Sequence, residues 1–382
     1  MRERLRRIRQ GALTSGAQSS LRLLVAVFFC LLLAVLLGGI VERGGQRYIG
    51  NPNEQVIPAA EFFRVFPEKK KTASMVDLGL YVDSLYDLDL SKLTFKARGW
   101  LWYNWTKTPM IEGKVDPGQM GRFDLNFLDE SDVNQEISSQ QPVVDHGAAG
   151  DTSYWNETSF DAKLAAPSIN LRHYPFDRQE LNILVTNPVH ETGELIYRIQ
   201  QFRLPPRVFN ISGYKLDGIS YADEIRIYTS NFADASEVSW RDGSATTQSQ
   251  ADFKIFISRN PLTALLECVM PLAIVSFLAV SVVRLGGRYW EVKLTAPPAA
   301  ILSLIFLQNT FQQDLPRVSY MTCMDLMFLL GYLVCLLSFA DGLLSCLFTD
   351  SERYRGLYGK LACAVLALSP LIVRGWLSLS IS

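Results

Sequence analysis

The sequence predicts an extracellular β-sandwich domain followed by a four-helix transmembrane bundle, with an extra hydrophobic helix at the N-terminus. Three observations lead to this fold class. Apolar residues concentrate at the two ends of the 382-residue chain, and several of these stretches are long enough to cross a bilayer as helices. The polar middle instead carries short runs in which apolar and polar residues alternate, as they do in half-buried strands.

The chain begins with an arginine-rich stretch, residues 1–22, followed by a hydrophobic segment, residues 23–41. A basic start before an apolar run is typical of a signal peptide and of a signal anchor. The apolar run is long, and no small-x-small cleavage site follows it. Two alternatives stay open, an uncleaved anchor and a removed signal peptide, and in either case we expect only a targeting and tethering role.

Residues 42–260 form the predicted outer domain. Between Lys92 and Trp105 apolar and polar side chains alternate, as expected for a half-buried strand. Similar runs begin at Val76, Leu181, Ile225 and Phe253. Many short strands separated by turn-forming residues indicate a sandwich or barrel. Trp100 and Trp102 interrupt the polar face of the first run, which predicts either a covering loop or a recognition surface.

Cysteine placement and composition exclude several classes of protein. All six cysteines lie in hydrophobic segments: Cys30, Cys268, Cys323, Cys335, Cys346 and Cys363. The outer domain therefore holds no disulfide, which fits a bacterial protein better than an animal receptor. The chain has no metal-ligand spacing, no nucleophile motif and no phosphate-binding loop. With a net charge of −1, we expect no enzyme, cofactor, metal site or nucleic-acid partner.

Residues 261–382 contain the four predicted transmembrane helices. These are Pro261–Val283, Leu294–Phe311, Met321–Phe348 and Leu361–Leu379. Basic residues in the loops before the second helix and after the third agree with the basic N-terminus under the positive-inside rule. The chain is thus predicted to be a multi-pass protein of the plasma (inner) membrane, with its β-domain on the outer, periplasmic side.

A short motif in the outer domain resembles a known signature. The segment Leu171–Gln179, whose core Tyr174–Gln179 reads Tyr-Pro-Phe-Asp-Arg-Gln, resembles the signature loop of the pentameric ligand-gated ion channels, the Cys-loop receptor superfamily. Pro167 and Leu181 stand where animal receptors have two bracketing cysteines, so the loop resembles the cysteine-free prokaryotic type. Further matches are the tryptophan pattern of Trp100–Trp105, Ser258, Arg259, Pro271, Leu315 and Pro316.

The resemblance implies a coupling cluster between the outer domain and the membrane. Asp177 and Arg259 are expected to form its salt bridge, joined by an acidic residue from the turn that holds Asp87 and Asp89. Removing one partner of such a shielded pair leaves the other charge buried and unpaired, which is costly. The alternative is a buried ion pair with no part in gating.

The resemblance also implies a homopentamer whose five copies of the second helix line an ion pathway. Seven residues are expected to face the axis: Glu291, Thr295, Pro298, Leu302, Phe306, Asn309 and Gln313. Rings of Leu302 and Phe306 could close the pore by dewetting, and a ring of Glu291 would favour cations. The alternative for Leu302 and Phe306 is helix packing in a lipid-facing or bundle-core position.

Pro297 and Pro298 depart from the family pattern, because two prolines inside a helix remove two hydrogen bonds. They are harmless in a first turn. Thr295 is therefore a candidate N-cap for a helix over residues 296–312, with residues 289–294 as a separate segment. In that arrangement Glu291 need not line the pore, and Lys293 would weaken the preference for cations.

Ligand contacts follow from the resemblance, which places agonists between subunits. Trp100 would belong to one wall, and four residues from two loops would belong to the other: Thr186, His190, Phe232 and Trp240. The agonist is a small molecule or a proton, and for protons His173, His190 and Glu267 are candidates. The alternative function is a non-conducting membrane receptor or adhesion module that retains the fold.

Overall fold

A computed structural model of the chain describes residues 54–106, 124–125, 144–145, 153–187, 190–228, 246–285, 289–313, 315–347 and 357–379. The predicted N-terminal helix, residues 23–41, lies outside these ranges, as do Phe232 and Trp240. The chain divides into two compact units. The sheet unit comprises Gly50–Val275, Leu302–Gly331 and Ser369–Ser382, and the described part of the helical unit falls within Ser276–Ile301 and Tyr332–Leu368.

Two β-sheets make up most of the sheet unit. Their strands are β1 Glu54–Pro58, β2 Ser74–Asp89, β3 Thr94–Thr106, β4 Asp124–Leu125, β5 Val144–Asp145, β6 Ser153–Ala165, β7 Arg178–Thr186, β8 Leu195–Arg203, β9 Phe209–Asn210, β10 Tyr214–Tyr228 and β11 Thr246–Arg259. Among the described residues, one sheet has the order β1-β10-β11-β7-β4 and the other β5-β6-β3-β2-β8, with β9 beside β2. Two short helices, α1 Ala59–Val65 and α2 Pro67–Thr72, lie between β1 and β2.

The inner faces of the two sheets share one hydrophobic core, which makes the domain a β-sandwich. Phe95, Leu101 and Tyr103 of β3 are buried in this core together with side chains of the opposite sheet. The rings of Phe202 on β8 and Phe253 on β11 meet across it, with centroids 5.1 Å apart. The alternating pattern that predicted these strands therefore reflects a real inner and outer face.

Four helices follow the sheets in sequence, each long and apolar enough to cross a membrane. They are α3 Pro261–Arg284, α4 Trp290–Gln313, α5 Cys323–Leu347 and α6 Leu357–Leu379. The chain is a multi-pass membrane protein with a β-sheet-rich N-terminal region. The predicted spans are confirmed to within a few residues at each end.

Helix α4 runs without a break through Pro297 and Pro298, so the predicted N-cap at Thr295 is wrong. The Thr295 hydroxyl donates to the Glu291 carbonyl oxygen at 2.9 Å, a bond made inside a helix. Pro297 leaves the Lys293 carbonyl without its usual intrahelical donor. That carbonyl lies against Gly342 of α5, where an added Cβ would be only 2.7 Å from the oxygen. Close packing on a glycine thus accommodates the proline pair within the helical unit.

Candidate functional site

A buried ion pair joins the signature loop to the last residue of β11. Arg259 Nε donates to Asp177 Oδ1 at 2.9 Å, and the Asp177 side chain has no exposed surface. The backbone N–H of Arg259 also donates to the Asp177 carbonyl oxygen at 3.1 Å. Because α3 begins two residues later, at Pro261, this pair fixes the point at which the sandwich continues into the first membrane helix.

Two tyrosines complete the cluster around Arg259. The Tyr214 hydroxyl lies 2.5 Å from Arg259 Nη2 and donates to Asp177 Oδ2 at 3.1 Å. The guanidinium stacks over both rings, 4.5 Å from the Tyr214 centroid and 4.7 Å from the Tyr174 centroid. Burial alone would lower the pKa of Arg259, but Asp177 and Tyr214 raise it above its usual value. Burial, reinforced by Asp177, raises the pKa of Tyr214, so its hydroxyl keeps its proton beside the Asp177–Arg259 pair.

The acidic turn between β2 and β3 does not join this cluster. Asp87 Oδ2 pairs with Lys96 at 2.7 Å, and Asp89 accepts from Ser91 at 2.6 Å and pairs with Lys92 at 3.6 Å. Among the described residues neither carboxylate contacts Arg259. The expectation that one of them would join is corrected by this arrangement, because lysines of the same hairpin already occupy both carboxylates.

The signature loop also contacts the segment that leads into α5. The backbone N–H of Leu171 donates to the Tyr320 hydroxyl at 3.1 Å, and the N–H of Cys323 donates to the Arg172 carbonyl oxygen at 2.8 Å. The Arg172 guanidinium lies over the Tyr320 ring, 5.3 Å from its centroid. One loop therefore touches the starts of both α3 and α5 within the sheet unit.

Trp100 lies in a cluster of aromatic side chains on the outer face of the six-stranded sheet. It is 43% exposed and borders a cavity of about 470 Å³. The other lining residues are Tyr81, Trp102, Trp155, Glu157, Gln201 and Arg203. This surface combines three indoles and a phenol with one carboxylate and one guanidinium.

Gly79 makes the floor of this cavity possible. It faces Trp102 across the β2–β3 ladder, and a Cβ built on Gly79 would overlap the indole ring. The Trp102 ring can therefore lie flat on the backbone of β2 only because residue 79 has no side chain.

Thr186 and His190, the other predicted ligand residues that the structure describes, lie apart from Trp100 in the protomer. Thr186 ends β7, in the other sheet, and no described contact joins it or His190 to Trp100. His190 is buried, with Nδ1 2.9 Å from the Glu194 carboxylate. Among the other proton-sensing candidates, burial lowers the pKa of His173, and Glu267 lies exposed on α3.

All seven predicted pore-lining residues lie exposed on α4: Glu291, Thr295, Pro298, Leu302, Phe306, Asn309 and Gln313. Leu302 and Phe306 are 55% and 64% exposed, whereas Leu304 between them is completely buried. Lys293 lies on the buried face, so it does not share a face with Glu291. The helix thus has a packed side and an open stripe that is polar at both ends and apolar in the middle.

Several residues of these clusters were absent from the sequence prediction. Tyr81 could have been found, because the alternation of β2 places it on the outer face, where it pairs directly with Trp100. Trp155, Tyr214 and Tyr320 gave no local signal, since each reaches its cluster through pairing between distant parts of the chain.

These features define a class of protein: a multi-pass membrane protein whose β-sandwich continues directly into four membrane-spanning helices, one of them with an open polar and apolar stripe. The chain is similar to a proton-gated ion channel of Gloeobacter violaceus (strain ATCC 29082 / PCC 7421), with 22% identity over 256 residues. The match covers 65% of this chain and 66% of that channel, slightly less than two thirds of the channel's length. No protein-family model matches the chain.

The similarity supports the superfamily suggested by the signature loop, and with it an ion channel of the membrane. It is also a similarity to a channel rather than to an enzyme, as the composition led us to expect.

Proposed function

We propose that the chain is a ligand-gated ion channel, a homopentamer in which residues 42–260 face the outside and residues 261–382 form the pore. This proposal rests mainly on the Asp177–Arg259 pair, which lies where the last strand becomes the first membrane helix. The same loop contacts Tyr320 at the approach to α5. A displacement of the sandwich would therefore be transmitted to two helices through one buried cluster.

In this proposal α4 lines the pore. Its exposed stripe would place polar rings at both ends and rings of Leu302 and Phe306 in the middle, where an apolar constriction gates by dewetting. The exposed Glu291 and the sequestered Lys293 favour cations, because only the carboxylate shares the face of the stripe.

The tryptophan cavity is the proposed ligand-contacting wall of each subunit. Indole faces attract organic cations, Arg203 suits a carboxylate, and Glu157 suits an ammonium group. A small amine or amino acid is therefore the first ligand class to test, and protons are the second, since the similar channel is named as proton-gated. Of the two described residues expected on the opposite wall, the partly exposed Thr186 would reach the ligand from the neighbouring copy, whereas His190 is buried.

Ion flux into liposomes that contain the purified full-length chain tests this proposal. We expect flux to rise after an acid step or on addition of a small amine or amino acid, and Trp100→Ala to abolish the response to the organic ligand alone. A protein of pentameric mass that stays silent under all conditions would support the alternative, a receptor or adhesion module that retains the fold without conducting.

A further inference from the structure

A groove at the end of α4 contains charged residues that the function proposed above does not use. Its volume is about 760 Å³, and its lining residues lie between Gln308 and Phe328 in the sheet unit. Its polar lining includes the amide side chains Gln308, Asn309, Gln312 and Gln313. Its charged residues are Arg317 and Asp325, so the groove offers several amides and one guanidinium to a polar or acidic partner.

The two charged side chains in the groove, Asp325 and Arg317, differ in whether they already bond to other groups of the protomer. The Asp325 carboxylate accepts from the backbone N–H of Thr322 at 3.0 Å and from its hydroxyl at 2.7 Å. This reciprocal cap at the start of α5 occupies the carboxylate. Arg317 is exposed and makes no ion pair with any residue that the structure describes, so it is the charge that the groove presents.

Glu267 is the complementary feature, on helix α3. It lies in a π-helical turn, Leu265–Val269, inside a span long enough to cross the membrane. Its side chain is exposed on the protomer and forms no ion pair within the described ranges. A carboxylate within a membrane span is costly unless it faces protein or water, so the exposed position of Glu267 requires a partner from outside its own protomer.

Glu267 and Arg317 each lie near a residue that contacts the signature loop. Cys268, the neighbour of Glu267, touches Tyr174 of the signature loop. Tyr320, three residues after Arg317, accepts from Leu171 at the start of the same loop. Both charges therefore lie close to the signature loop, within the sheet unit.

We propose that Glu267 of one copy enters the groove of a neighbouring copy and pairs with Arg317 there. The inference rests on the proposed assembly and names the contact that holds it together. Two different surfaces of one chain make a heterologous interface, which closes into a ring when the rotation between copies permits. Each copy then contributes one carboxylate and one guanidinium, and no charge of either kind is left over.

Thiol crosslinking tests the contact directly. In the full-length chain with its six native cysteines replaced, Glu267→Cys and Arg317→Cys are introduced singly and together. A short bifunctional thiol crosslinker is used, because the Cα atoms of a Glu–Arg pair are farther apart than a disulfide allows. We expect the double variant to give a ladder of covalent oligomers severalfold stronger than either single variant. As a positional control, Ile274→Cys replaces Glu267→Cys, since Ile274 is also exposed on α3, and it should give no ladder with Arg317→Cys.

A charge exchange provides the second measurement. Glu267→Arg and Arg317→Glu should each weaken the oligomer in detergent, and the double exchange should restore it. Crosslinking no stronger than in the single variants, together with no restoration by the exchange, would overturn the contact even if the wild type conducts ions. A clear ladder from a protein that never conducts would support the contact and refute the proposed channel function.

Discussion

Arg259 and Asp177 are joined twice, by a side-chain ion pair of 2.9 Å and by a backbone hydrogen bond of 3.1 Å. The two contacts tie the end of β11 to the signature loop just before α3 begins. Because the Asp177 side chain is fully buried and that of Arg259 is only 15% exposed, water cannot readily replace either partner. The pair therefore holds the end of β11 and the signature loop together more firmly than an exposed salt bridge would.

Replacing Asp177 with asparagine should leave the buried Arg259 charge without its anionic partner. Loss of one partner of a buried pair costs about 3–5 kcal/mol, so we expect a clear fall in the unfolding temperature of the purified protein. Tyr214→Phe is the matched control, because it removes one hydroxyl that bonds both charged groups of the same cluster and should cost less, about 1.5–3 kcal/mol. Equal effects of the two substitutions would show that the ion pair does not dominate the cluster.

Leu302→Ser should produce a channel that leaks or opens more easily. Its side chain is 55% exposed on α4, and a hydroxyl in the proposed apolar constriction would keep that region wet. Bilayer recordings without agonist measure the leak.

Leu304→Ser is the control for this prediction, since Leu304 is completely buried on the same helix. It should reduce stability and yield of folded protein without creating a leak. A well-expressed pentamer with Leu302→Ser that stays silent would count against the pore assignment.

Gly79→Ala should disturb the tryptophan cavity, because the new methyl group overlaps the Trp102 ring. We expect a changed tryptophan fluorescence spectrum, a lower unfolding temperature and a weaker response to any ligand that uses this cavity. Gly218→Ala is the matched control in β10, where an added Cβ meets no atom within 4 Å. If both variants leave fluorescence and response unchanged, Gly79 does not determine the position of the Trp102 ring.

Asp252 should make folding stability depend on pH. Burial raises its pKa above the ordinary value of 3.8, even though Asn182 and Lys254 bond to it. A raised folded-state pKa means that the stabilising contribution is present at low pH and is lost as pH rises through that pKa. Asp252→Asn should therefore raise the unfolding temperature near neutral pH, and the gain should disappear as pH falls below about 4.

Asp77 supplies a control of opposite sign for this pH dependence. Burial opposes its ionisation, but Arg198 bonds to it at 2.6 and 2.8 Å and lowers its pKa below 3.8. Its contribution is present above that ordinary value and is lost as pH falls through the lowered pKa. Asp77→Asn should lower the unfolding temperature slightly at neutral pH, by an amount that shrinks in acid. Parallel pH profiles for the two variants would contradict this assignment of charges.

Sequence reasoning succeeded where the deciding interaction is local. Helix length and hydropathy defined the four spans, because a bilayer imposes a length on any helix that crosses it. Period-two alternation defined β2 and β3, because side chains of a strand point to opposite faces. The pairing of Asp177 with Arg259 is an exception, because the two residues are 82 positions apart and the pair was expected only from the resemblance to the family pattern.

The sequence prediction failed where distant residues decide the outcome. The proline pair in α4 indicated a helix start, but the helix is continuous, and the carbonyl of Lys293 that Pro297 leaves without a donor lies against the distant Gly342. An acidic residue of the turn that holds Asp87 was expected near Arg259. The Asp87 carboxylate instead pairs with Lys96 of the neighbouring strand. Tyr320 reaches the signature loop across 149 positions of sequence, a separation at which no local pattern gives a signal.

The central claim is that α4 lines an ion pathway, and cysteine scanning of this helix tests it most directly. In a conducting background without native cysteines, a water-soluble thiol reagent should change the current at the exposed positions Thr295, Leu302, Phe306 and Asn309. It should have no effect at the buried Leu304. Modification that changes the current at none of the exposed positions, or at Leu304 alone, would contradict the claim.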